Sequence, residues 1–293
     1  MTIAVTGATG HLGRLVLDEL RRARPAGSLV ALVRDASRAQ DLADDGVRVR
    51  VAAYEDPAAL VQGLADVDTL LLVSGSEVGQ RVAQHRNVID AAVEAGVRRI
   101  VYTSAPRADS SPLVLAPEHR ATEEMVRASG LAWTILRNNW YTENYVGTLQ
   151  QAAETGEIVA AAGEGRVASA TRADFAAGAT AVLLGEGHDG KVYELAGDHA
   201  WSFTELAEAA SVVVGRPVVY RAVDGPTLRS ILVEHAGLDE ATAGFVVQLD
   251  LDIAAGLLAE TTGELSRLVG RPTTPLVEGL RAAYAPPAFP TAV

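Results

Sequence analysis

The hydrophobic positions in the first half of the chain alternate between short apolar runs and longer segments with apolar residues at helical spacing. The runs predict six buried strands, at Ile3–Val5, Leu29–Val33, Val47–Val51, Thr69–Val73, Ile100–Thr103 and Ala132–Leu136. The longer segments predict helices, at Leu12–Leu20, Ser37–Ala43, Pro57–Leu64, Val78–Ala95 and from about Glu118 to Ala128. Strands that are apolar on both faces and alternate with helices are typical of a parallel sheet covered on both sides. The pattern therefore predicts an α/β fold with a Rossmann-type, doubly wound parallel sheet over residues 1–136.

The second half of the chain, residues 137–293, has a less regular pattern. It predicts helices at Glu143–Thr155, Asp174–Leu184 and Phe203–Val214, and strands at Ile158–Ala161, Val192–Ala196 and Val218–Arg221. The remainder is mainly helical up to Tyr284, and the proline-rich tail that follows cannot continue a helix and is expected on the surface. We expect a smaller, mainly helical substrate-binding lobe, with segments near 158–198 returning to the Rossmann core.

The turn between the first strand and the first helix has the pattern G-x-x-G-x-x-G, at Gly7, Gly10 and Gly13. Gly7 allows a tight turn, Gly10 lets the backbone approach a pyrophosphate, and Gly13 lets the helix pack close to the sheet. The free N–H groups at the start of the helix, at the positive end of its dipole, bind phosphate. Because a strand precedes this turn and a helix follows it, the pattern predicts a dinucleotide site rather than an ordinary glycine-rich turn.

The end of the second predicted strand distinguishes between the two nicotinamide cofactors. An NAD-binding unit has an acidic residue there, which holds the ribose 2′-hydroxyl. This chain has Arg34, with Arg38 one helical turn further on, and an arginine favours the 2′-phosphate of NADP(H) through a charged, forked hydrogen bond. Two alternatives stay open: Asp35 serves a ribose hydroxyl if it turns inward, or both arginines are solvated charges. We expect NADPH as the cofactor, with NADH as a weaker one.

Charge and composition exclude several classes of function. The formal net charge of −12 argues against nucleic-acid binding, which needs a basic face. The sequence has no cysteine, which excludes disulfides, thiol catalysis, iron–sulfur clusters and Cys-ligated zinc. The histidines lack metal-ligand spacing, so we expect no metal. No signal peptide and no apolar run of membrane-spanning length is visible, so a cytoplasmic protein without a membrane partner is expected.

Lysine occurs once, at Lys191, and the residue four positions before it is Gly187. The Tyr-x-x-x-Lys pair on which many short-chain dehydrogenases depend is therefore absent. Ser104 follows the fifth predicted strand, where such enzymes keep a catalytic hydroxyl. Without a tyrosine and lysine partner it is expected to be structural.

A series of motifs extends over nearly the whole chain: G-A-T-G-H-L-G, V-S-G-S-E-V-G-Q-R-V-A-Q-H-R-N-V-I-D-A-A, Y-T-S, S-P-L-V-L-A-P-E-H, L-R-N-N-W-Y-T-E-N-Y, A-A-G-E-G-R-V-A-S-A-T-R-A-D, G-K-V-Y-E-L-A-G-D and G-R-P-T-T-P-L. It resembles the NmrA-like, atypical short-chain dehydrogenases/reductases, and within them the bacterial type-2 NAD(P)H:quinone oxidoreductases. Triphenylmethane-dye reductases have similar signatures. The resemblance implies an NADPH-dependent reductase, without flavin, that passes a hydride to a small-molecule quinone or a similar flat acceptor, and a possible homodimer.

The resemblance also implies where the cofactor binds. The residues concerned are Gly7, Ala8, Thr9, Gly10, His11, Leu12 and Gly13 in the glycine turn, Arg34, Ser74, Gly75 and Ser76, then Asn138, Asn139, Trp140, Tyr141, Thr142 and Glu143, and Ala170. For Ser76 and Gly75, capping and turning into the next helix is a compatible structural role. For Trp140, packing in the second lobe is the favoured alternative.

Quinone reduction needs a surface that stacks the acceptor and a donor for the developing oxyanion, because the cofactor supplies the hydride. We expect Tyr141 and Asn144 to provide these contacts. His119 is a third candidate, since the resemblance to the isoflavone-reductase-like branch aligns it with a catalytic lysine, although a capping or solvated histidine is the alternative. Two further functions stay open: a non-catalytic NADP(H)-sensing regulator, and a reductase of dyes, imines or enones.

Overall fold

A computed structural model describes residues 1–284 of the protein. The proline-rich tail, Ala285–Val293, for which we expect a surface position, lies outside the described residues. In the described part the strands are β1 (Ile3–Val5), β2 (Leu29–Val33), β3 (Arg48–Val51), β4 (Thr69–Leu72), β5 (Arg99–Ser104), β6 (Ala132–Asn138), β7 (Glu157–Ala160), β8 (Arg166–Val167), β9 (Lys191–Leu195), β10 (Trp201–Ser202) and β11 (Val219–Ala222). The helices are α1 (His11–Ala23), α2 (Gln40–Asp44), α3 (Pro57–Gly63), α4 (Arg81–Glu94), α5 (Ala116–Ala128), α6 (Val146–Thr155), α7 (Arg172–Leu184), α8 (Phe203–Val214), α9 (Gly225–Glu234), α10 (Glu240–Ala254), α11 (Glu264–Val269) and α12 (Leu276–Tyr284).

The main sheet of residues 1–284 has seven parallel strands in the order β3-β2-β1-β4-β5-β6-β9. The order changes direction between β1 and β4, where Ile3 lies opposite Leu29 of β2 on one side and Thr69 of β4 on the other. Ligands of such sheets bind beyond the carboxyl ends of the strands at this switch point. The predicted Rossmann-type, doubly wound fold is confirmed.

Alternating side chains of the central strands fill two cores, one on each face of the sheet. Ile3 and Val5 of β1 pack on the face covered by α1 and α7, with Phe175 among the fully buried residues there. Ala4 packs on the opposite face, together with residues of α3, α4 and α5. Since both faces are covered by helices, the strands are apolar on both sides, as the sequence pattern indicates.

A third core lies mostly in the chain after residue 137. It contains Tyr145, Leu149, Trp201 and Phe203, and it receives α12 through Leu280. β7 pairs with β11 in a parallel ribbon, and β8 pairs with β10 in an antiparallel one. Of the segments near 158–198, α7 packs on α1 and β9 extends the main sheet, whereas β7 and β8 belong to these small ribbons.

The C-terminal helix α12 docks against the start of α7. A Cβ atom added to Gly279 would lie 2.8 Å from Cγ2 of Thr171 and 3.2 Å from Cγ2 of Thr142. The buried carboxylate of Asp174 accepts a hydrogen bond from the backbone N–H of Thr274 at 2.9 Å. α12 therefore packs directly against Thr142 and Thr171, and the segment before it is bound to Asp174 of α7.

Two predicted helices start later or in a different form than their patterns indicate. The helix predicted from Val78 begins at Arg81, because Gly79 has a φ of +87° and interrupts the approach to α4. The helix predicted from Glu143 begins with a 3-10 turn at Thr142–Tyr145, followed by α6. Across residues 1–284, every helix is too short or too polar to cross a bilayer.

Candidate functional site

A cavity of about 450 Å³ lies at the switch point, beyond the carboxyl ends of β1, β2 and β4. Eleven of the residues expected to bind the cofactor line it: Gly7, Thr9, Gly10, His11, Leu12, Gly13, Arg34, Ser74, Gly75, Ser76 and Tyr141. Ala8, Asn138, Asn139, Trp140, Thr142, Glu143 and Ala170 are placed behind or beside this lining. The sequence motifs thus converge on one cleft, although some of their residues serve as its support.

The glycine turn leaves little room for a side chain at its second glycine and none at its third. Gly7 has a φ of +58°. A Cβ atom on Gly10 would lie 3.1 Å from the carbonyl oxygen of Gly7, and one on Gly13 only 2.3 Å from the same oxygen. Gly10 is the N-cap of α1 and has no side chain with which to cap the helix. The N–H groups at the start of α1 therefore face the cavity, a donor set that fits a pyrophosphate.

Arg34 lies at one end of the cavity, with its guanidinium 70% exposed. Its Nη1 atom is 3.1 Å from Oε1 of Glu77, and Oε2 of Glu77 accepts a hydrogen bond from Gln84 at 3.0 Å. Asp35 is engaged locally, because it accepts hydrogen bonds from the hydroxyl and backbone N–H of Ser37, which lower the pKa of Asp35. Of the two neighbours, Arg34 is thus the group presented to a ligand at this end.

The wall formed by Ser74–Ser76 is held by a buried histidine of α4. The backbone N–H of Gly75 donates to Nε2 of His85 at 3.0 Å, and Nε of Arg81 donates to the carbonyl oxygen of Gly75 at 2.8 Å. Since Nε2 accepts, the imidazole proton lies on Nδ1 and is donated to the hydroxyl of Thr122 at 3.0 Å. Burial, helped by the charge of Arg81, lowers the pKa of His85 to about 3. A neutral imidazole therefore positions this wall.

The loop after β6 presents Tyr141 to the cavity and turns its neighbours inward. The amide of Asn139 donates to the carbonyl oxygen of Leu258 at 3.1 Å, and Trp140 packs on the third core. Tyr141 and Ala170 form a parallel bridge that joins this loop to the segment before α7. Burial raises the pKa of Tyr141, so its hydroxyl stays protonated and can donate a hydrogen bond.

Asn138 and Thr142, close to Tyr141 in the same loop, make further polar contacts. Nδ2 of Asn138 lies 3.4 Å from the Tyr141 hydroxyl, whereas Oδ1 of Asn138 is buried without a hydrogen-bond partner among the described residues. The hydroxyl of Thr142 lies 2.9 Å from that of Ser169. Within the described chain, Oδ1 of Asn138 is thus a buried, unpartnered acceptor next to Tyr141, which lines the cavity.

Arg172, at the start of α7, lines the same end of the cavity as Tyr141. Its guanidinium lies 4.9 Å from the centre of the Tyr141 ring. Its Nη2 atom donates to Oδ1 of Asn144 at 2.9 Å, and its backbone N–H donates to the carboxylate of Glu143 at 2.9 and 3.1 Å. Asn144 is exposed and adjoins the cavity through Arg172, while Glu143 binds the first backbone N–H of α7, whose N-cap is Thr171.

His119 lies on α5 and is 6% exposed. Its Nδ1 atom is 2.7 Å from the hydroxyl of Tyr102 on β5. Burial, followed by the charge of Arg81, lowers the pKa of His119 to about 3. The structure does not bring this imidazole into the cavity lining. The buried hydroxyl of Ser104 also points elsewhere, donating to the carboxylate of Glu123 at 2.7 Å.

The lowered pKa of His119 predicts a stability effect in acid. The unfolded chain takes up a proton near pH 6.5 and the folded chain near pH 3, so the free energy of unfolding falls as pH falls between these values and levels off below about pH 3. Between pH 7 and pH 5 the free energy of unfolding, measured with urea, should therefore fall by about 1–2 kcal/mol less in His119→Gln than in the wild type. Replacing the exposed His235 in the same way should leave the wild-type difference unchanged. Equal losses in all three proteins would contradict the buried, neutral state of His119.

Sequence reasoning missed Arg81 and Arg172, which line the cavity, and His85, which supports its wall from behind. Arg172 lies in the quoted stretch A-S-A-T-R-A-D, from which we selected only Ala170, and Arg81 and His85 lie in the stretch after Ser76. Arg81 and Arg172 are the first residues of α4 and α7, next to the carboxyl ends of the strands where ligands of such sheets bind, and this position was an available signal. Residues 1–284 contain no cluster of three or more histidine or acidic side chains arranged to hold a metal ion.

Comparison with known proteins supports this geometry. The family model described as NAD(P)H-binding matches residues 7–185. Quinone oxidoreductase 2 of Escherichia coli (strain K12) is 48% identical over 278 residues, which cover 95% of this chain and 97% of that protein.

Two solved structures share the fold over nearly the full length of the chain. The crystal structure of NADPH-dependent quinone oxidoreductase from E. coli, complexed with NADPH, has a TM-score of 0.93 and 47% identity, and the match covers 97% of this chain and 100% of that one. Triphenylmethane reductase of Citrobacter sp. has a TM-score of 0.91 and 39% identity, with 97% and 99% covered. The chain therefore belongs to the NAD(P)H-binding family of NmrA-like, atypical short-chain dehydrogenases/reductases that includes quinone oxidoreductase 2.

Proposed function

We propose that this protein is an NADPH-dependent reductase that transfers a hydride to a quinone. The observation that carries the proposal is a single cavity that joins the glycine turn and Arg34 at one end to Tyr141 and Arg172 at the other. Such a cavity offers phosphate donors, a cation for a 2′-phosphate and an aromatic, hydrogen-bonding end for a flat acceptor. The likeness to E. coli quinone oxidoreductase 2 over 95% of the chain supports quinone as the acceptor class.

The cofactor site that we propose runs along the cavity. The N–H groups at the start of α1 hold the pyrophosphate, and Arg34 exchanges its partner Glu77 for the 2′-phosphate. The cofactor contacts proposed are Gly7, Ala8, Thr9, Gly10, His11, Leu12, Gly13, Arg34, Ser74, Gly75, Ser76 and Tyr141, with Asn138, Asn139, Trp140, Thr142, Glu143 and Ala170 as contacts or supports. Residues 1–136 form the cofactor side, and residues 137–293 contribute the acceptor side, where Tyr141 and Arg172 line the cavity.

NADPH supplies the hydride when bound, so the protein has to orient the acceptor and stabilise negative charge on its oxygen. We propose that Tyr141 donates its hydroxyl proton in a hydrogen bond to the acceptor and that Asn144 donates from its carboxamide. His119 acts indirectly, by holding Tyr102 behind the site. Water supplies the proton that completes the hydroquinone. A hundredfold fall in turnover in His119→Gln would instead identify His119 as a proton donor.

A dye reductase is the second candidate, because the likeness to Citrobacter triphenylmethane reductase also covers 97% of the chain. A cationic dye would stack on the same aromatic end of the cavity. The homodimer that the family resemblance allows, and the cytoplasmic location expected from the sequence, remain part of the proposal.

The test is the absorbance of reduced nicotinamide, followed with NADPH or NADH and a panel of benzoquinones, naphthoquinones and triphenylmethane dyes, without added flavin. Rapid oxidation with NADPH and a simple quinone is the expected result. Oxidation with dyes alone would favour the dye reductase. Tight NADP(H) binding without oxidation by any acceptor would favour a sensing protein that acts without turnover.

Replacing Arg34 with alanine tests the proposed 2′-phosphate site. We expect the KM for NADPH to rise about tenfold, because one charged hydrogen bond worth about 1.4 kcal/mol is lost, while the KM for NADH changes little. Arg22→Ala is a matched control, since Arg22 is 72% exposed on α1 and pairs with Glu19. Equal changes for both cofactors would remove Arg34 from the 2′-phosphate.

A further inference from the structure

The guanidinium of Arg172 is held from several sides at the Tyr141 end of the cavity. The backbone N–H of Arg172 is fixed by both carboxylate oxygens of Glu143, at 2.9 and 3.1 Å, and the side chain is 19% exposed. Its planar head lies 4.9 Å from the centre of the Tyr141 ring, an arrangement in which the ring attracts the cation. Arg172 is therefore ordered before any ligand arrives.

The hydrogen bond between Arg172 and Asn144 can have only one direction, with Arg172 as the donor. A guanidinium carries donors and no acceptor, so the Asn144 atom that lies 2.9 Å from Nη2 has to be the carbonyl oxygen Oδ1. The NH₂ group of Asn144 then points away from Arg172. A free carboxamide could present either its oxygen or its nitrogen to a ligand. The Asn144 oxygen is already bound to Arg172, so only the NH₂ group is available, as a hydrogen-bond donor.

The charge on Arg172 also strengthens that donor. A cation bound to the carbonyl oxygen of an amide draws electron density from its nitrogen, and hydrogen bonds arranged in a chain polarise one another. The carboxylate of Glu143 lies 3.8 Å from Nη1 and balances the charge without taking the Nη2 contact from Asn144. The arrangement is that of a donor prepared for negative charge that appears only during the reaction.

We propose that Arg172 is a positioning residue, which fixes the carboxamide of Asn144 so that its NH₂ group donates to the acceptor oxygen. The inference rests on the proposed function. The quinone accepts the hydride, which is two electrons and one proton, at one carbonyl oxygen, where an O–H bond forms as the C4–H bond of the reduced nicotinamide breaks, and the opposite oxygen becomes an oxyanion. That oxygen then takes a proton from water, giving hydroquinone and NADP⁺. Asn144, which adjoins the cavity beside Arg172, stabilises the oxyanion, and the contribution of Arg172, which lines the cavity, is to hold the Asn144 carboxamide in place.

A double-mutant cycle tests whether Arg172 acts through Asn144. Arg172→Ala and Asn144→Ala should each lower kcat by about 30- to 100-fold, and the double variant should lose no more than the larger single loss. Asn144→Asp should lose as much as Asn144→Ala, because a carboxylate still accepts from Arg172 but has no proton to donate. Multiplied losses in the double variant would overturn the inference and assign Arg172 a direct contact with cofactor or acceptor.

Two controls separate positioning from a general structural role. Arg172→Lys keeps the charge but not the fork, so we expect part of the kcat loss to remain, while free guanidinium added to Arg172→Ala should restore activity better than ammonium does. The dissociation constant for NADPH, measured by fluorescence, should change less than about threefold in Arg172→Ala. A large rise in that constant with unchanged kcat would overturn the inference.

A readout without turnover keeps the inference testable if the protein reduces no quinone. The side-chain NH₂ resonances of Asn144, assigned in ¹⁵N-labelled protein by their loss in Asn144→Ala, should shift and broaden in Arg172→Ala, because the carboxamide is released. Unchanged Asn144 resonances would overturn the inference. An inactive wild type with the expected resonance change would instead contradict the proposed function alone.

Discussion

Gly13→Ala is expected to weaken NADPH binding about a hundredfold and to lower the free energy of unfolding by about 1–3 kcal/mol. The new Cβ atom would lie 2.3 Å from the carbonyl oxygen and 2.8 Å from the carbonyl carbon of Gly7, and 3.0 Å from the oxygen of Thr6. All three are backbone atoms of the turn, which cannot move aside as a flexible side chain would. The start of α1 has to shift, and with it the N–H groups that face the pyrophosphate.

Titration of protein fluorescence with NADPH and urea unfolding measure the two effects. Gly244→Ala is the matched control, because Gly244 lies inside α10 with open space where its Cβ would be. There the same substitution should raise the free energy of unfolding by about 0.5–1 kcal/mol and leave NADPH binding unchanged. Wild-type NADPH affinity in Gly13→Ala would show that the pyrophosphate does not bind at this turn.

Arg137→Met is expected to lower the free energy of unfolding by about 3–5 kcal/mol. Arg137 is 4% exposed at the end of β6, and its guanidinium contacts Glu123 at 2.7 Å, Glu194 at 2.8 Å and Asp109 at 3.0 Å. Burial alone opposes its charge, but the hydrogen bonds to the three carboxylates outweigh this and raise the pKa of Arg137. Without the arginine, the 3%-exposed carboxylate of Glu123 loses its main counter-charge.

The comparison for this prediction is Arg98→Met, in which a 73%-exposed arginine loses its pairing with Asp68. An exposed ion pair contributes about 1 kcal/mol or less, so urea unfolding should barely change. Losses of similar size in the two variants would contradict a central role for the Arg137 cluster in holding β6, β9 and α5 together.

The main sheet was predictable because its central strands β1, β2 and β4 are almost entirely apolar and alternate with helices, so that local pattern and global fold agree. The glycine turn was also predictable from local sequence, since the need for each glycine comes from the backbone conformation or the close packing of the turn itself. The place of Arg34 in the cavity lining could be predicted from its position at the end of β2. These features depend on neighbours close in the sequence.

Contacts between residues that are far apart in the sequence were harder to predict from it. The sequence puts His119 on a helix near the site, but the phase of α5 turns the imidazole to Tyr102 of β5. The role of Arg172 depends on Tyr141 and Asn144, which reach it only because the loop after β6 bridges to Ala170. No local pattern encodes such a juxtaposition, which arises only when β6 and α7 are both in place.

The docking of α12 sets an order of assembly during synthesis on the ribosome. The glycine turn is formed by β1 and α1, which emerge early and are later covered by α7, whereas the loop around Thr142 receives its packing partner Gly279 only when α12 has emerged. Domains fold as the chain emerges, and early segments acquire structure first. A nascent chain therefore forms its glycine turn before the acceptor-facing loop gains its packing partner, and reductase activity is the last property it gains.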